Sequence, residues 1–259
     1  MISPIATVVA QRGRRALSPR GLLVHVTGSG LIDAARKARI DPEEFAVAHY
    51  AHRAPYYPHY LIAPDGDTYA FCDELKRAAH AAWRSWEVRV YAESSATAPS
   101  WRTRWARDFL DGVIAVAPGF YAAWDARWGG RGLGYDSPHD LLTQVGATAS
   151  TPNSAYIGVE CLASTNQLAD AQLDALAALF VDCARRNEWI HPGSIDPASL
   201  PQAWLCGHSD VSPCRRYQRT RADRAAGRKV PRAGFPFDPP GRVLDWADLG
   251  RRILTAASL

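Results

Sequence analysis

The chain has 259 residues, 47% of them hydrophobic and 22% charged, and its 30 basic and 26 acidic side chains leave a net charge of +4. That length can bury a sizeable core, and the composition is that of a globular protein rather than a disordered or fibrous one. The mild positive charge permits attraction to anionic polymers but is not a nucleic-acid footprint, and no stretch approaches the ~20 apolar residues of a membrane span, so neither nucleic acid nor membrane is expected as a partner.

At the N-terminus the apolar run Ile5–Ala10 precedes the basic cluster Arg12-Gly13-Arg14-Arg15 and is too short for a signal peptide. Synthesis in the cytoplasm is therefore expected. The target of the protein is left open at this point. The cysteines at 72, 161, 183, 206 and 214 are odd in number and scattered, which reads as a reduced set rather than a disulfide framework.

Gly21–Val26 is an apolar run suited to a buried strand. Asp41-Pro42-Glu43-Glu44 opens a helix that runs to about His52, with Asp41 as cap, proline at the first position and acids in the first turn. His59–Ile62 and Thr68–Phe71 flank Ala63-Pro64-Asp65-Gly66-Asp67 and predict a hairpin in which His59 and Leu61 share a face. Trp101–Val116 has helical character, and Trp124–Tyr135 reads as an irregular, aromatic-rich loop. Tyr156–Cys161 is a second buried strand, and Gln167–Arg186 is a helix with Leu168, Leu173, Leu176, Leu179 and Phe180 on one stripe. Leu205–His208 ends a further strand, and Asp245-Trp246 starts a C-terminal helix with Leu249, Ile253 and Leu254 facing inward. Strands alternating with helices predict an α/β fold with a central mixed sheet flanked by helices.

The chemistry concentrates in Gly207-His208-Ser209-Asp210-Val211-Ser212-Pro213 and in Asp238-Pro239-Pro240-Gly241, with His25 far upstream. Two imidazoles and one carboxylate, with a fourth position left to water, suit catalytic zinc. Cys214 is a rival third ligand and Cys206 flanks His208; a Cys-His-Cys cluster would instead make a closed, structural site.

Taken together, these segments resemble the zinc-dependent N-acetylmuramoyl-L-alanine amidases of the amidase-2 type, relatives of the peptidoglycan recognition proteins. The resemblance is carried in order by Leu23-Val24-His25-Val26-Thr27, by His59-Tyr60-Leu61-Ile62-Ala63-Pro64-Asp65-Gly66 and by Arg77-Ala78-Ala79-His80-Ala81-Ala82-Trp83. It continues through Asn153-Ser154-Ala155-Tyr156-Ile157-Gly158-Val159-Glu160, the His208 segment, and Asp238-Pro239 before Asp245-Trp246. It implies zinc bound by His25, His208 and Asp238, and Glu160 as the acidic residue that moves protons. His80, with Trp83 and Asn153, falls in segments that it associates with the substrate groove, and His59, sharing a hairpin face with Leu61, looks into the cleft as a substrate contact or toward a neighbour. Where relatives carry a lysine two residues before the aspartate, this chain has Pro236, and Arg216 is the substitute considered for stabilising the oxyanion.

The resemblance further implies one catalytic domain over 1–259, with insertions at about 84–152 and about 217–236. Its expected substrate is peptidoglycan or a muropeptide, cut between N-acetylmuramic acid and L-alanine. The alternatives are a non-catalytic peptidoglycan-binding module of the same fold and a zinc amidase acting on another wall peptide. A phage lysis enzyme, a toxin and a recycling amidase all remain open as the biological role; delivery to the periplasm or cell wall, by lysis or a secretion system, would follow synthesis in the cytoplasm, with a phage or secretion-system partner left open.

Overall fold

The computed structural model describes residues 12–14, 18–52, 57–80, 152–163, 167–200, 204–207 and 244–259. Five strands form the main sheet: β2 (Gly21–Val26), β3 (Tyr60–Ile62), β4 (Thr68–Ala70), β6 (Tyr156–Cys161) and β7 (Leu205–Gly207). Their order is β4-β3-β6-β2-β7, with β3, β6, β2 and β7 parallel and β4 antiparallel to β3. Two short strands, β1 (Arg12–Arg14) and β5 (Lys76–Arg77), pair separately. The expected mixed sheet with flanking helices is therefore present.

Alternation along the strands sorts the sheet into two faces. Leu22, Val24, Val26, Ile157, Val159, Cys161, Tyr60, Ile62 and Leu205 form one core. They pack with Leu173, Leu176, Leu179 and Phe180 of α4 (Asp170–Asn187) and with Trp246, Leu249 and Ile253 of α5 (Trp246–Ala257), while the single turn α3 (Pro152–Ala155) leads into β6. On the other face Leu61, Ala63, Tyr69 and Phe71 pack on Ala46, Tyr50 and Ala51 of α2 (Pro42–His52), with α1 (Ser29–Ala38) adding Leu31 and Ile32.

Local chemistry fixes the helix ends. Asp41 Oδ1 accepts from the N–H groups of Glu43 and Glu44 at 2.8 and 3.2 Å, capping α2 as the sequence predicts. Asp245 accepts from the Asp248 N–H and starts α5. The buried Gln172 side chain donates to the carbonyls of Ile62 and Leu162, both at 3.2 Å, and so seats the start of α4 on the ends of β3 and β6. Gly66, at φ +93°, turns the β3–β4 hairpin in a conformation that favours glycine and lies too close to the Ala171 carbonyl to admit a side chain.

At the far ends of β2 and β6, Thr27 Oγ1 donates to the Ala163 carbonyl at 3.1 Å and accepts from the Ala163 N–H at 3.2 Å. The Thr27 N–H donates to Cys161 O at 3.1 Å. These bonds lock the two strands together just past the residues of interest. α1 is an element the sequence reading lacks. It opens on Gly28, at φ 71°, and contains Gly30, which weakens the helical signal, so it is held chiefly by packing of Leu31, Ile32 and Ala35. The expectations for Trp101–Val116 and Trp124–Tyr135 lie outside the described residues.

Candidate active site

His25 and Glu160 are register partners on the parallel strands β2 and β6, so their side chains leave the same face of the sheet. Leu61 of β3 is the partner of Glu160 on the other side, and one row reads Leu61–Glu160–His25. His25 is 1% exposed, and the Oε2 atom of Glu160 is buried although the residue as a whole is only partly so.

Two further histidines lie beneath this row. The His59 N–H donates to Gly158 O at 2.8 Å, and the Gly158 N–H donates to His59 Nδ1 at 2.9 Å. His59 Nε2 faces the Lys76 carbonyl at 3.1 Å. A carbonyl only accepts, so the proton sits on Nε2, and this neutral tautomer satisfies both backbone groups. His59 thus braces the short 57–59 segment against β5 and β6. Of the two expectations for His59, the structure has the ring turned to its neighbours, with no exposed surface.

His80 is 8% exposed. Its Nε2 lies 3.3 Å from the Tyr156 carbonyl and its Nδ1 3.1 Å from His25 Nε2. The His25 and His80 rings meet edge to face at 5.3 Å, and the His59 and His80 rings lie 5.6 Å apart. The His80 ring covers Gly158, where any Cβ would overlap it. Asn153, expected in the groove, accepts the His80 backbone N–H on Oδ1 at 3.1 Å. A glycine in the interior of a strand is the signal that could have placed His80 here, because it marks a close approach by another group.

His208, Asp238, Arg216, Trp83 and the rival Cys214 lie outside the described residues. β7 ends at Gly207, which pairs with Val24 of β2. Cys206 is fully buried opposite Leu23, on the His25 face but one same-face position before it. Cys72, Cys161, Cys183 and Cys206 are all buried, with no disulfide among the described residues. Glu43, Asp65 and Asp67 bring carboxylate oxygens within 4.8 Å of one another. That trio joins the hairpin turn to the start of α2: Asp65 Oδ1 accepts the Asp67 N–H at 3.0 Å, and the Tyr69 hydroxyl donates to Glu43. The bond to Glu43, then burial, raises the Tyr69 pKa.

The model of the N-acetylmuramoyl-L-alanine amidase family matches residues 15–223. The chain belongs to this family of amidases. The match takes in His25, His59, His80, Trp83, Asn153, Glu160, His208, Cys214 and Arg216, and it ends before Asp238. Membership supports amidase activity toward peptidoglycan. No curated protein matches the chain. A solved structure, described as a crystal structure of a selenomethionine AmpD derivative, is 20% identical over 82% of this chain and 83% of that one, with a TM-score of 0.39. A superposition that loose has no bearing on the site.

Proposed function

We propose that this amidase is a zinc hydrolase that cleaves the bond between N-acetylmuramic acid and L-alanine of peptidoglycan, with His25, His208 and Asp238 holding the metal. The observation that carries the reading is the pairing of His25 with Glu160 on adjacent strands of a family member. With Nε2 turned to His80, Nδ1 is the His25 atom to which ligation falls. β7 runs parallel to β2 and ends opposite Val24, and His208 is the next residue in sequence. Two imidazoles and a carboxylate fit the metal by donor chemistry. When bound, zinc supplies a Lewis acid for the scissile carbonyl and lowers the pKa of a bound water.

Glu160 then has a defined task. Its carboxylate takes a proton from the attacking water and returns it to the departing amine of L-alanine. Arg216 offers positive charge to the oxyanion of the tetrahedral intermediate. Trp83 and Asn153 belong to the groove in this reading, and the inserted 84–152 span selects among wall fragments. The site reaches its substrate after delivery to the wall or by acting on imported muropeptides.

Mass analysis of muropeptides digested by the purified protein tests the reading. The expected products are a free lactyl carboxylate and a peptide beginning with L-alanine, lost on chelation and restored by zinc. Muropeptide binding without cleavage in the zinc-replete protein would identify a binding module instead. Asp238→Ala should strip the metal and Cys214→Ser should spare it; the reverse would make Cys214 the third ligand. Comparison of intact sacculi with soluble muropeptides separates a lytic enzyme from a recycling one.

A further inference from the structure

We infer that His80 is the positioning residue that sets the tautomer of His25, and so decides which ring nitrogen His25 presents to a metal; this rests on the reading of His25 as a ligand. The argument starts at the main chain. The Tyr156 carbonyl can only accept, so His80 Nε2, 3.3 Å away, carries a proton. A neutral imidazole has one donor and one acceptor, which makes His80 Nδ1 the acceptor. Its partner at 3.1 Å is His25 Nε2, which therefore donates. That assignment leaves the lone pair of the His25 ring on Nδ1.

Metal-bound histidines commonly donate their other N–H to a carboxylate, a backbone carbonyl or water, and that partner orients the ring. Here the partner is a second histidine, itself referred to β6. Three features hold it: the Tyr156 carbonyl at the start of β6, the bare Cα of Gly158 beneath the ring, and Asn153 Oδ1 on its backbone N–H. Glu160 lies further along the same strand. One strand therefore carries the proton-transfer carboxylate and also fixes, through His80, the orientation of the ligand on its neighbour. In this role His80 touches neither substrate nor metal.

The two amide substitutes for histidine separate its two bonds. His80→Asn brings a carbonyl oxygen near the place of Nδ1 and can still accept from His25. His80→Gln reaches the place of Nε2 with an N–H for Tyr156 but offers His25 no acceptor. Zinc affinity, measured by competition with a chromophoric chelator, should stay near wild type in His80→Asn and fall ~10–100-fold in His80→Gln, the usual cost of losing a ligand's hydrogen-bond partner. Thermal unfolding of both metal-free variants shows whether each is folded. In the wild-type protein, nitrogen-15 spectra of the histidine rings, assigned with His25→Ala, should show His25 protonated on Nε2, a readout that needs no folded His80 variant.

Wild-type affinity in folded His80→Gln, equal losses in both variants, or a His25 ring protonated on Nδ1 would overturn the inference and leave the zinc reading standing. A wild-type protein that holds no zinc, or a His25→Ala variant that holds it as tightly, would remove the zinc reading and the inference with it.

Discussion

Strands β2 and β6 offer two faces built on different terms. On one, Leu22, Val24, Val26, Ile157, Val159 and Cys161 meet α4 and α5, and what matters is volume and apolarity. On the other, the intervening positions include His25, Gly158 and Glu160, and what matters is which atom donates, which accepts, and where a Cβ is missing. A single residue of register separates a side chain that holds the fold from one to which the proposed chemistry falls. Substitutions on the two faces should therefore fail in different ways.

The largest expected effect is on rate alone. Glu160→Gln should slow turnover ~10²–10⁴-fold, the usual contribution of a general acid–base group, with zinc content and unfolding temperature unchanged. Near-wild-type turnover in the zinc-replete variant would move the base elsewhere. Phe180→Ala addresses the opposite face, where the ring is fully buried against the sheet. It should cost ~3–5 kcal/mol in denaturant unfolding, with activity per folded molecule preserved; a fall in kcat among folded molecules would show that the faces are coupled.

Gly158→Ala should break the separation. The added Cβ must displace the His80 ring, so stability should fall by ~1–3 kcal/mol and zinc affinity should fall with it. Loss of stability with unchanged affinity would mean that His80 shifts without consequence for His25.

The smallest effect concerns pH. Glu74 lies between the hairpin and α4; burial would push its carboxyl up, but hydrogen bonds from Tyr60, Arg186, Asn187 and Cys183 outweigh this and hold it below the usual value. Burial and the neighbouring Glu74 correspondingly raise the pKa of both Tyr60 and Cys183. Because the folded pKa is depressed, this stabilisation is complete above the unfolded carboxyl value of ~4.3 and is lost as pH falls through the lower folded value. Wild type should thus exceed Glu74→Gln in unfolding temperature at neutral pH, and the gap should close in acid. A gap constant down to low pH would show that shape, not charge, is what Glu74 contributes.

Much of the fold was legible where local signals agree. Gly21–Val26 and Tyr156–Cys161 are mostly apolar runs, broken only by His25 and by Gly158 and Glu160, and both strands have those bounds. The Asp41-Pro42-Glu43-Glu44 start marks α2 correctly, from Pro42 to His52. α1 was not legible, because its glycines hide a helix that tertiary packing sustains. His25 and Glu160 were singled out by resemblance, but their adjacency is a property of strand register, which neither local segment encodes. The bracing roles of His59 and His80 depend on contacts across Gly158 and on backbone carbonyls, and a histidine's residue type says nothing of either.

The reciprocal bonds between Thr27 and Ala163 have a consequence for how a substrate must fit. They close the ends of β2 and β6 two residues beyond Cys161 and two beyond His25, so that with the strand pairing they set the backbone gap between His25 and Glu160. In the proposed reaction a wall fragment entering this site meets a gauge of fixed width. The scissile amide would come to the carboxylate at the spacing the strands dictate, and adaptability toward different stem peptides would come from outside these two strands.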